Sequence, residues 1–61
     1  MIVNFFKVRT NNYRDMELLA TKNIEVPHIG MGIDFNGQRF KVIHVVYSLD
    51  TGEYAALITR V

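Results

Sequence analysis

The fold of this chain is decided by one stretch near its middle, Ile33-Asp-Phe-Asn-Gly-Gln-Arg-Phe-Lys-Val-Ile-His-Val-Val-Tyr47. Asn36-Gly37 is a strong signal for a tight hairpin, because both residues accept positive φ and apolar residues flank them. A two-residue loop sets Asp34 opposite Arg39, and this cross-strand ion pair supports the register. The stretch therefore predicts an antiparallel hairpin with strands over 31–35 and 38–48.

Side chains of this hairpin alternate between two faces of a sheet. The face predicted to be buried carries Met31, Ile33, Phe35, Phe40, Val42, His44 and Val46. The opposite face carries Asp34, Arg39, Lys41, Ile43, Val45 and Tyr47. Residues 43–47 are apolar on both faces, and this has two explanations. Either the long strand bends through a small barrel, or another subunit or a partner covers the second face.

The rest of the chain predicts three more elements and one turn. Residues 2–9 form a first strand, and Thr10-Asn11-Asn12 forms a turn. The segment 13–22 fits a strand, but it also fits a helix that Asn12 would cap. Residues 53–61 form the last strand, in which Tyr54 pairs either with Tyr47 or with Ser48. We therefore predict one all-β domain over 1–61, a five-stranded, partly open barrel or a strongly twisted antiparallel sheet. The alternative is an α+β fold with a helix at 13–22 packed on the sheet.

Size and composition restrict the class of protein. A chain of 61 residues buries only about 60% of the surface that its unfolded form exposes. Because 49% of the residues are hydrophobic, an exposed apolar patch and a homo-oligomer are expected. No apolar run reaches the length of a membrane span, and the first residues lack the features of a signal peptide. These features predict a cytoplasmic protein that does not bind membranes.

The residues that catalysis needs are absent from the sequence or wrongly spaced. The chain has no cysteine, and Ser48 is its only serine, outside any nucleophile-elbow motif. The two histidines do not make a zinc site, and the Gly30-x-Gly32 pair lacks the rest of a phosphate loop. The sequence therefore predicts a protein that is not an enzyme and needs no cofactor or metal.

Two binding surfaces are predicted instead. The first is an apolar, tyrosine-bearing sheet face or free strand edge that binds a protein partner, with Phe5, Val45, Tyr47 and Tyr54 as contacts. The alternative is a basic stripe for nucleic acid, formed by Lys7, Arg9, Arg39, Lys41 and Arg60. The net charge of +1 gives this second surface little electrostatic support. A third hypothesis is a structural role in a virion or another large assembly.

Residues 24–61 also carry a pattern that can be compared with a known family. They read Ile-Glu-Val-Pro-His-Ile-Gly, then Ile-Asp-Phe-Asn-Gly-Gln-Arg-Phe-Lys-Val-Ile-His-Val, then a turn and a last strand. This order resembles the small SH3-like β-barrel accessory proteins of phages and other mobile elements. The resemblance implies a non-enzymatic binding role, often against a host protein in the host cytoplasm. It assigns no functional residue.

Overall fold

The structure is a computed structural model that describes the backbone of residues 1–9 and 12–61, and side chains over 1–9 and 14–61. The turn predicted at 10–12 rests on residues 10 and 11, which lie outside the described residues. The described residues form five strands: β1 (Ile2–Arg9), β2 (Asn12–Asn23), β3 (Gly32–Phe35), β4 (Gln38–Tyr47) and β5 (Tyr54–Arg60). The predicted all-β, five-stranded class is confirmed. The helix alternative at 13–22 is wrong, because that segment lies within β2.

The five strands form one sheet in the order β2-β1-β5-β4-β3, curled into a half-barrel. β1 and β5 pair in parallel, whereas the other neighbours are antiparallel. The sheet is therefore mixed, and the wholly antiparallel version predicted from the sequence is wrong at this pair. β5 lies in the centre, and its residues 56–58 are consecutively buried. Such a run is typical of a strand that is covered on both faces.

The central hairpin has the predicted geometry. Asn36 and Gly37 have φ values of 51° and 74°, the positive pair that a type I′ turn requires. Asp34 lies opposite Arg39, and Ile33 lies opposite Phe40, as the two-residue loop predicts. The register of the second hairpin is also defined. Tyr47 pairs with Tyr54, across the longer of the two loops that the sequence allows.

A β-bulge at Ile43 changes the facing of the second half of β4. Val42 pairs with Ile58, but His44 pairs with Leu57, so Ile43 is an extra residue with no partner on β5. Val45 consequently packs against the core, whereas His44 and Val46 are exposed. The facing predicted for residues 44–47 is therefore wrong by one residue. A bulge bends the strand that carries it, and here Val46 and Tyr47 stay exposed beyond it.

Most of the core lies on one face of the sheet, called here the inner face. It is a cluster of six buried side chains from β1, β4 and β5: Val3, Phe5, Phe40, Val42, Ala56 and Ile58. Val26 and Met31 pack against this cluster from the 24–31 connection, in which Pro27 is buried. In the part of the chain that the structure describes, no helix is long and apolar enough to cross a membrane.

Candidate protein-binding site

The two end strands of the sheet, β2 and β3, leave the half-barrel open between them. Their relative direction follows from the pairings. β2 is antiparallel to β1, which is parallel to β5, so β2 is antiparallel to β5. β3 and β5 are both antiparallel to β4, so β3 is parallel to β5. β2 and β3 therefore run in opposite directions. Each has a second partner position that no other strand of the described residues fills. We call this opening the seam.

An apolar cleft of about 210 Å³ lies at the seam. Clefts for drug-sized ligands measure about 300–1,000 Å³, so this cleft suits a single large apolar side chain better than a cofactor. Its walls come from both end strands and from the core between them. The lining residues are Phe5, Leu19, Ala20, Lys22, Ile24, Ile33, Asp34, Phe35 and Ile58.

The two charged residues of the cleft differ in their surroundings. Arg39 engages the Asp34 carboxylate with two hydrogen bonds, Nε to Oδ1 at 2.8 Å and Nη2 to Oδ2 at 3.2 Å. These bonds, together with the positive charge of the guanidinium, hold the pKa of Asp34 below its usual value. Lys22 forms no ion pair within the described residues. The cleft therefore presents one unneutralised positive charge beside an apolar surface.

The Asp34–Arg39 pair predicts a defined response to pH. Because the pKa of Asp34 is lower in the folded protein than in the unfolded chain, the pair stabilises the fold at neutral pH. That contribution is lost as the pH falls through the folded pKa, below about pH 4. Replacing Arg39 by glutamine should raise the pKa of Asp34, as measured by NMR titration of its carboxyl carbon. Lys41→Gln is the control, since it removes a neighbouring charge and leaves the two hydrogen bonds in place. Equal midpoints in Arg39→Gln and the wild type would contradict the pairing.

The four predicted protein-contact residues are divided between the core and the surface. Phe5 is only 7% exposed and belongs to the core cluster, so it is not an exposed residue of the sheet face. Its ring nevertheless forms part of the cleft wall. Val45 and Tyr54 are partly buried against the core, and Tyr47 is 49% exposed. The Tyr47 and Tyr54 rings contact each other, with centroids 4.7 Å apart and ring planes tilted by 47°. Tyr47 is the most exposed of the four residues.

The five predicted nucleic-acid contacts do not form one stripe. Residues in register on neighbouring strands share a face. Lys7 is in register with Ile58 and Arg60 with Phe40, so both belong to the inner face. Arg39 and Lys41 alternate with core residues and lie on the outer face, where Arg39 is paired with Asp34.

A larger depression near the end of β1 also fails to support nucleic-acid binding. It measures about 440 Å³ and includes Lys7 and Arg9 in its lining. Asp15 and Glu17 line the same depression and balance the two cations. A phosphate backbone therefore meets no net positive charge there.

The sequence did not identify several residues that build the cleft. Leu19 and Ala20 lie in the segment whose secondary structure was ambiguous, and Ile24 lies in the following connection. Leu19 is an extra residue at a bulge between β1 and β2, where Phe5 pairs with Ala20 and Phe6 with Leu18. An apolar run at 18–20 is a weak signal for such a site, because the cleft arises only when β2 and β3 are brought together by the curl of the sheet.

Comparison with protein-family models, curated protein sequences and solved structures found no match to this chain.

Proposed function

We propose that this protein is a non-catalytic protein-binding module that takes an extended segment of its target at the seam. The observation that carries the proposal is the pair of free sheet edges beside an apolar cleft. A free edge offers backbone N–H and C=O groups to a new strand, and an adjacent cleft selects one of its side chains. The resemblance to accessory proteins of mobile elements supports a host protein as the target.

β2 is the better edge for an added strand. It has 12 residues, whereas β3 has four, so it offers more backbone groups for pairing. Because β2 and β3 run in opposite directions, a strand added antiparallel to β2 would run parallel to β3. We expect the target segment to pair along β2, place one large apolar side chain in the cleft and meet β3 mainly through side chains.

Peptide selection provides a direct test of this proposal. A random peptide library selected on the wild-type protein should yield segments with one large apolar residue, and their binding should protect amides of β2 from hydrogen exchange. Ile24→Asp should weaken that binding about tenfold or more, because it puts a charge at the cleft. Ile24 is 44% exposed, so the fold should tolerate the change.

The matched control is Ile29→Asp, which makes the same change at an exposed position of the same connection, outside the cleft. Equal binding by both variants, or protection confined to other strands, would reject the seam as the site. Tyr47→Ala belongs in the same series. A loss of binding there, with binding retained in Ile24→Asp, would place the contact at the tyrosine pair instead.

A further inference from the structure

The turn between β4 and β5 presents an unusually exposed leucine. Leu49 is 91% exposed, the highest value among the large hydrophobic residues that the structure describes, and Asp50 follows it at the turn. A leucine in such a position gains nothing from the fold of its own chain. Its burial in a contact would be favourable, because its apolar surface would leave water.

The turn that carries Leu49 is held by several hydrogen bonds. The Ser48 amide donates to the Glu53 carbonyl at 2.9 Å, and the Gly52 amide donates to the Ser48 carbonyl at 2.9 Å. The Thr51 amide donates to the Ser48 hydroxyl at 3.3 Å. Gly52 has a φ of 73°, which suits glycine at this point of the turn. A turn held in this way loses little conformational entropy when its tip docks.

The seam cleft complements this tip in shape and in charge. The cleft has room for one large apolar side chain, and Lys22 at its lining has no ion pair among the residues described. The tip supplies the apolar side chain of Leu49 and, beside it, the carboxylate of Asp50. Asp50 also forms no ion pair within the described residues. Since Leu49 is exposed, the tip does not fill the cleft of its own molecule.

We infer that the Leu49–Asp50 tip of one molecule docks in the seam cleft of a second copy, with Asp50 close to Lys22. The inference uses the same cleft as the proposed function, but it needs no foreign target. A single leucine and one ion pair form a small contact, so the association is weak and grows with concentration. A target segment that occupies the cleft would displace the second copy, and self-association would then fall as target is added.

Analytical ultracentrifugation over a concentration series up to millimolar tests this inference. The wild type should associate, and Leu49→Ser should weaken the association about tenfold or more, the effect of losing one buried leucine. Val61→Ser is the control, because it makes a comparable change at another residue that is 85% exposed. Circular dichroism should show the same fold in all three proteins.

Charge reversal tests the orientation of the contact. Lys22→Asp and Asp50→Lys should each weaken association about two- to fivefold, the range expected for an exposed pair, and the double variant should recover it. Lys41→Asp makes the same change of charge away from the cleft and should have no effect. A wild type that stays monomeric, or equal association in Leu49→Ser and the wild type, would overturn the inference. Leu49→Ser leaves the cleft intact, so selected peptides should still bind it even if self-association proves absent.

Discussion

Replacing Phe40 by alanine is expected to remove a large share of the stability of the fold. Phe40 is 2% exposed and is the largest of the fully buried side chains that the structure describes. Truncating a buried phenylalanine costs about 3–5 kcal/mol, because the transfer energy is lost and a cavity remains. A domain of 61 residues has a total stability of only about 3–9 kcal/mol. The substitution therefore removes from about a third to all of the free energy that holds the chain folded.

Urea denaturation followed by circular dichroism measures this effect. Phe35→Ala is the matched control, since Phe35 is only partly buried at the rim of the same core. This substitution should lower the free energy of unfolding clearly less than Phe40→Ala does. Phe40→Leu keeps most of the apolar volume, and its intermediate stability would allow the size of the loss to be determined even if Phe40→Ala does not fold. A Phe40→Ala protein with wild-type stability would show that the inner face is not the core.

Features that depend on neighbouring residues could be predicted from the sequence. The Asn36-Gly37 turn fixes its own geometry and the register of the strands that leave it, so the Asp34–Arg39 pair followed directly. The segment 13–22 was ambiguous because its residues favour a helix, whereas pairing with β1 makes it a strand. Tertiary pairing decided that element, and local propensity did not.

Features that depend on distant residues could not be predicted. The parallel pairing of β1 with β5 joins the two ends of the chain, and no local pattern records it. The cleft depends on that pairing, because the resulting strand order leaves β2 and β3 at the two free edges. Individual cleft residues such as Phe5 and Ile33 were assigned to apolar faces from the sequence, but their association with Leu19 and Lys22 required the curl of the sheet.

The bulge at Ile43 is a third kind of feature, a local one with little sequence signal. Strand residues alternate strictly, so one extra residue reverses the facing of everything that follows. A glycine often marks a bulge, but here the extra residue is an isoleucine in an apolar run. The sequence therefore placed His44 and Val46 in the core, whereas the structure places Val45 there.

Two aspartate substitutions at adjacent positions distinguish a bulged β4, in which Val45 faces the core, from a strictly alternating β4, in which Val46 does. Val45→Asp should lower the free energy of unfolding by about 2–3 kcal/mol, because it brings a charge without a partner against the core. Val46→Asp should change it by no more than about 0.5 kcal/mol, because Val46 is 44% exposed. Urea denaturation of both variants measures the difference, and each serves as the control for the other. If Val46→Asp lowered the free energy of unfolding more than Val45→Asp, Val46 would be the buried residue and β4 would run without the bulge. Val45 would then have the surface position that a partner contact requires.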